Sequence, residues 1–149
     1  MSAIHILLVE DEKATATAMA MMLRNAAAKE GVEIVVDVVH TMADARSRAE
    51  RADCVLLDLG LPDSLRDETV ERLPQLAEVW PPIIVVSSFV SLSDSDPSVR
   101  SLFWRVVDFG ADNVHEKAEA LANPHLLLRN IRMAVRKRMV LNRRKVHAE

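Results

Sequence analysis

Five side chains of this 149-residue sequence could do chemistry together: Glu10, Asp11, Asp58, Ser87 and Lys117. Each lies directly after a short apolar or β-prone run, or close behind one. Glu10 and Asp11 follow Ile4 to Val9, and Asp58 follows Cys54 to Leu57. Ser87 follows Ile83 to Val86, and Lys117 comes soon after Asn113-Val114-His115. Three crowded carboxylates repel one another and raise their own pKa values unless a cation is present. An oxygen-only donor set of this kind suits Mg²⁺, which binds through one or two carboxylates, waters and a phosphate. A lysine ammonium and a serine hydroxyl on the far side would hold phosphoryl oxygens. The set therefore reads as a carboxylate nucleophile that accepts a phosphoryl group. No member is specific alone. Asp58 could cap a turn, Glu10 and Asp11 could favour a helix N-terminus, Ser87 could be a loop hydroxyl and Lys117 a solvated charge. Convergence on one place is what would give them a joint meaning.

The elements that must bring them together alternate in type. Ile4 to Val9 reads as a buried strand, and Ala14 to Ala28 as a helix with Ala16, Met19, Ala20, Leu23 and Ala27 on one face, stopped by Gly31. Val32 to Val39 is a second strand. Thr41 and Asp44 resemble a capping box that opens a helix to about Arg51. Cys54 to Leu57 is the third strand, breaking into a Gly/Pro loop at Gly60 and Pro62. A helix over Arg66 to Glu78 contains Pro74, which is expected to kink or split it. The fourth strand, Ile83 to Val86, precedes a Ser/Asp-rich loop from Ser91 to Ser95 and an Asp96-Pro97 helix start. Gly110 ends that helix, and Asn113 to His115 is the fifth strand. Asn123-Pro124 opens a last helix running past Val140, with Leu128, Ile131, Val135 and Met139 as its buried stripe. Strand and helix repeating five times predict a doubly wound α/β sandwich around a five-stranded parallel sheet. In such a sheet the C-terminal strand ends share one edge, where all five candidate residues would lie.

Composition narrows the classes. Residues 1–149 fit one domain, with a basic helical extension from about 141 to 149. Cys54 is the only cysteine, which excludes disulfides and cysteine metal clusters and makes a cytoplasmic location the expectation. No run approaches the ~20 apolar residues of a membrane span, no signal-peptide pattern opens the chain, and no membrane partner is expected. The net charge of -3 conceals an asymmetry, since eight Lys/Arg and a single acid fall from Arg129 onward. An acidic body thus carries a basic tail.

Taken together, Ile6-Leu7-Leu8-Val9-Glu10-Asp11-Glu12, Val55-Leu56-Leu57-Asp58-Leu59-Gly60-Leu61-Pro62, Pro82-Ile83-Ile84-Val85-Val86-Ser87 and Gly110-Ala111-Asp112-Asn113 leading to Lys117 closely resemble the receiver domain of two-component response regulators. The resemblance spans Ile4 to Val140 and points to a stand-alone receiver. It implies a flavodoxin-like strand order 2-1-3-4-5 with an extended last helix. It implies that Asp58 is phosphorylated by a histidine kinase or a histidine phosphotransfer protein. Asp11, Asp58 and the Gly60 carbonyl would bind Mg²⁺, with Glu10 assisting through its water shell. Ser87 would hydrogen-bond the phosphoryl group and Lys117 would pair with one of its oxygens. Output would come through protein–protein contact. Such a protein is no classical enzyme, although it catalyses its own phosphoryl transfer and dephosphorylation.

Four departures from the family pattern bear on output. Val114 stands where an aromatic switch residue is usual, and Ala118 where a proline follows the lysine. The Ser87 to Gly110 segment is longer than usual and holds Phe89, Phe103, Trp104 and Phe109. The usual Asp-Gly is replaced by Asp63-Ser64-Leu65. Phe89, Trp104 and Val114 are therefore the candidate partner surface, while at least two of Phe103, Trp104 and Phe109 are expected in the core. Two other functions fit. One is a phosphorylation-independent pseudo-receiver adaptor; the other is a receiver whose basic last helix drives homodimerisation or nucleic-acid contact. A direct DNA-reading role is not expected, because no reading module follows the last helix. A haloacid-dehalogenase-type phosphatase needs an acid where Gly60 stands, and a flavodoxin needs a hydroxyl-rich loop where Glu10-Asp11-Glu12 stands.

Overall fold

The computed structural model describes residues 2–89 and 97–148. The elements in order are β1 (Ile4–Val9), α1 (Lys13–Glu30), β2 (Ile34–Val39), α2 (Met42–Arg48) with a 3-10 turn at Ala49–Arg51, and β3 (Cys54–Leu57). They continue with α3 (Arg66–Val79), β4 (Ile83–Ser87), α4 (Pro97–Asp108), β5 (Asn113–Glu116), α5 (Lys117–Ala122) and α6 (Pro124–Ala148). The strands form one parallel sheet in the order β2-β1-β3-β4-β5. The doubly wound architecture is as the alternation of elements predicts, and the strand order and extended last helix are as the resemblance implies.

Side-chain alternation along the strands builds a core on each face of the sheet. Leu7, Val9, Val55, Leu57, Ile83 and Val85 point to one face, where α2, α3 and α4 cover them. Ile6, Leu8, Cys54, Leu56, Ile84 and Val86 point to the other, beneath α1 and α6. Four-residue β3 is buried throughout because it is central, with β1 on one side and β4 on the other. That position fixes the exit point of the chain at Asp58.

Local signals act as expected at most ends. The Thr41 hydroxyl accepts the Asp44 N–H at 3.1 Å and starts α2, and Gly31 closes α1 at φ 68°. A Cβ at Gly110, whose φ is 116°, would lie 2.8 Å from the Ala77 Cβ, so only glycine lets the α4–β5 turn approach α3.

Three expectations change. First, α3 is one continuous helix across Pro74. Pro74 is exposed, so its ring meets solvent rather than the core, while Val70, Leu73 and Leu76 pin the opposite side of the helix to the core. Second, the segment after β5 is already helical as α5 before Asn123-Pro124 begins α6, making six α-helices among the described residues rather than five. Third, Met139 is 52 % exposed and so falls outside the buried stripe of α6, although Leu128 and Ile131 are fully buried. The helix outruns the body that would cover it. The Ser91 to Ser95 loop and the Asp96 cap lie outside the described residues.

Candidate functional site at the C-terminal strand edge

The parallel register delivers the candidate residues to one edge. Glu10 N–H donates to the Val39 carbonyl at 3.0 Å and Asp58 N–H to the Val9 carbonyl at 3.1 Å, so both acids sit one step past their strands in continuing ladders. Ser87 is the last residue of β4 and pairs with Glu116, the last of β5. Lys117 follows at once as the first residue of α5. There is no cis peptide bond among the described residues, and Lys117 reaches the site from this short helix start, with Ala118 in the following position.

Lys117 Nζ lies 3.0 Å from Glu10 Oε1 and 3.2 Å from Asp58 Oδ2. The contact with Glu10 spans 107 positions of sequence and the contact with Asp58 spans 59. Both acids are buried, Glu10 at 3 % exposure and Asp58 at 6 %. Asp11 is exposed beside them, and oxygens of Glu10, Asp11 and Asp58 all lie within 4.8 Å of one another. Burial is the main force pushing the Glu10 carboxyl up to about 7; the neighbouring Asp58 adds to it and Lys117 opposes it. Burial would lower the Lys117 ammonium, but the two carboxylates outweigh it and hold its pKa above the ordinary lysine value. The site is thus an anionic pocket held together by one fixed cation. Its three carboxylates supply the hard oxygen donors that a Mg²⁺ ion takes, with room on the exposed Asp11 side for waters.

Ser87 is fully buried, and its hydroxyl oxygen accepts the Phe89 N–H at 3.1 Å. Among the described residues no hydrogen bond joins it to Asp58, Glu10 or Lys117. Gly60 lies under the Phe89 ring, since a Cβ there would sit 2.9 Å from Phe89 Cε2. The Arg66 guanidinium lies 5.4 Å from the centroid of the same ring. Phe89, 44 % exposed, therefore lies against the loop that leaves Asp58.

The candidate partner residues divide. Phe89 and Trp104 are exposed, whereas Val114 is 7 % exposed and belongs to the core. Alternation along β5 turns Val114 inward, so it cannot itself touch a partner. Phe103 meets Trp104 edge-on, with centroids 5.4 Å apart, and packs on the core together with Phe109.

Two contacts escaped the sequence reading. The Asp63 carboxylate accepts the N–H groups of Met42 (2.7 Å) and Ala43 (2.9 Å), tying the loop after Asp58 to the start of α2. Slight desolvation would raise that carboxyl, but the backbone donors prevail and hold it below the usual range. His40 Nδ1 donates to the Glu10 carbonyl at 2.7 Å. Neither partner is close in sequence, so no local spacing betrays them.

No family model matches the chain, and no curated protein matches it in sequence. Solved structures do. A CheY-like response regulator receiver domain protein from Methanospirillum hungatei superposes with a TM-score of 0.61 at 21 % identity, covering 89 % of this chain and 98 % of its own. The chain has the receiver-domain fold. The receiver domain of a Francisella response regulator gives a TM-score of 0.66 at 15 % identity, covering 90 % and 98 %. A Burkholderia pseudomallei response regulator, solved with a phosphorylated aspartic acid, calcium and citrate, gives 0.58 at 20 % identity, covering 80 % of this chain and 65 % of its own. At these identities the likeness establishes the receiver fold alone.

Proposed function

We propose that this chain is a single receiver unit, with a basic helical extension, that accepts a phosphoryl group on Asp58 and signals by binding other proteins. The observation that carries the proposal is the Lys117 bridge to Glu10 and Asp58 beside Asp11, set at the strand edge of a receiver fold. The phosphoryl donor is the phosphohistidine of a histidine kinase or a histidine phosphotransfer protein. The Burkholderia neighbour, which carries a phosphorylated aspartic acid and a calcium ion, supports the same chemistry on this fold.

In the transfer, an Asp58 carboxylate oxygen attacks phosphorus, an O–P bond forms and the N–P bond to the donor imidazole breaks. Asp58 is held for this by its ladder hydrogen bond to Val9 and by Lys117 Nζ. As negative charge gathers on the phosphoryl oxygens, Lys117 can exchange a carboxylate contact for a phosphoryl one without leaving the site. Glu10, Asp11, Asp58 and the Gly60 carbonyl would hold Mg²⁺, which when bound neutralises charge on the phosphoryl oxygens. Ser87, at the end of the adjacent strand, would hydrogen-bond the transferred group.

The deciding experiment is incubation with Mg²⁺ and a small phosphodonor, followed by intact mass measurement. A gain of one phosphoryl group in wild type and none in Asp58→Asn is expected. No gain, or a gain that persists in Asp58→Asn, overturns the proposal and leaves a phosphorylation-independent adaptor.

A further inference from the structure

The apolar stripe of α6 continues past the body that covers its first half. Leu127, Leu128 and Ile131 are fully buried and Val135 is half-buried. Arg138 then donates to the Trp80 carbonyl at 3.2 Å, the last hydrogen bond from an α6 side chain to the body among the described residues. Beyond it every described residue from Met139 to Val146 is exposed, yet α6 stays helical to Ala148. Met139 is 52 % and Val146 72 % exposed, an unusual fate for large apolar residues on the line of a core stripe.

Their spacing is specific. Val135, Met139, Asn142 and Val146 follow one another in steps of four, three and four, the d-a-d-a seam of a heptad. The positions flanking that seam are Arg136 and Arg143 on the e side and Arg138 and Lys145 on the g side. All are basic, and no acid lies between Arg129 and Ala148.

We propose that the exposed end of α6 is one strand of a heteromeric coiled coil, whose other strand is a partner helix with an apolar a/d seam and Asp or Glu at its e and g positions. Flanking charges choose the partner in a coiled coil. A second copy is disfavoured in either orientation, because e meets g in parallel pairs while e meets e and g meets g in antiparallel ones, and every such pair here is basic on basic. Nucleic acid would use the charges and leave Met139 and Val146 bare. A lipid surface needs one wide apolar face. Past Arg138 the other exposed large apolar residues among the described ones, Val140 and Leu141, occupy successive positions next to Met139 and so point in different directions around the helix. None of these residues lies at the strand edge, so the proposal stands apart from the chemistry of Asp58.

The test uses the full chain and a fluorescent synthetic peptide of about four heptads, Leu and Ile at a and d and Glu at e and g, with a scrambled peptide of equal composition. Anisotropy should show binding of the heptad peptide and, for the scrambled one, binding weaker by about tenfold or more. Met139→Ser with Val146→Ser keeps every charge and should lose about tenfold or more. Arg136→Glu with Arg143→Glu keeps the seam but leaves Arg138 and Lys145 basic, so it should abolish the preference for Glu over Lys at the e and g positions of the peptide. These positions are exposed, so melting of both variants should match wild type; if the serine pair loses helix, the charge-reversed pair carries the test. The proposal is overturned if the heptad peptide does not bind, if the scrambled peptide binds equally, or if affinity survives loss of the seam. It is equally overturned if the chain alone sediments as a dimer through this seam, or binds phosphatidylserine vesicles or duplex DNA more tightly than the peptide.

Discussion

Lys117 Nζ stands 3.2 Å from Asp58 Oδ2, although the two residues are 59 positions apart in sequence. The same ammonium holds Glu10, so one cation compensates two buried carboxylates. Lys117→Met removes it and leaves the acids facing each other. The variant is expected to unfold with about 1–3 kcal/mol less stability, less than a fully dry ion pair would lose because Lys117 retains some solvent contact and Glu10 can protonate. Added Mg²⁺ should restore more stability to this variant than to wild type, since it supplies the missing charge. Urea titrations of both proteins with and without Mg²⁺ measure this; equal Mg²⁺ effects would count against a shared site.

Asp11 separates metal binding from folding. It is exposed, and its side chain makes no hydrogen bond among the described residues, so Asp11→Asn should leave metal-free stability within about 0.5 kcal/mol of wild type. Wild type should gain about 2.7 kcal/mol at a Mg²⁺ concentration a hundred times its Kd, by mass action. Asp11→Asn should lose most of that gain at the same concentration. Thermal melts over a Mg²⁺ series, with Ca²⁺ in parallel, give the answer.

The fold and most of the site geometry were legible because they rest on short-range signals. Apolar runs such as Cys54 to Leu57 specify central parallel strands, and alternation between strand and helix leaves one plausible winding. Once the winding is known, Glu10, Asp58, Ser87 and Lys117 must share an edge. Three features were hidden for physical reasons. The burial of a helical stripe depends on how far the neighbouring sheet extends, which the spacing of Val135 and Met139 does not encode. Pro74 reads as a breaker, but its effect depends on which side of α3 faces solvent. The contact of Phe89 with Gly60 and the Asp63 cap on α2 join loops whose paths only tertiary structure sets.

Gly60 and Phe89 should be coupled. A Cβ at residue 60 would fall 2.9 Å from the Phe89 ring edge, and that ring can swing outward because it is 44 % exposed. Gly60→Ala is therefore expected to lower stability by only about 0.5–1.5 kcal/mol in wild type. In a Phe89→Ala background the same change should be close to neutral. A double-mutant cycle by urea denaturation reads the difference directly. Additive effects would mean that the ring does not rest on Gly60 in solution.

His115 should give stability a pH slope of defined sign. Burial lowers its pKa below the ordinary histidine value near 6.5. In the folded protein its Nε2 lies 2.9 Å from Asn130 Nδ2, where a neutral ring accepts the amide N–H and a protonated one cannot. Between the depressed folded pKa and about 6.5, the unfolded chain therefore binds more protons than the folded one. Stability from this residue is fully present above about 6.5 and falls as pH drops through that window, by at most about 1.4 kcal/mol per pH unit. Glu10, raised toward 7, contributes with the opposite sign, so the total profile of wild type is a composite. Subtracting the profile of His115→Gln isolates the histidine. The difference, from urea denaturation at intervals between about pH 5 and 8, should be flat at the upper end and bend downward for wild type below about 6.5. A difference that bends upward on acidification would mean that His115 is charged in the folded state, and would contradict its place beneath α6.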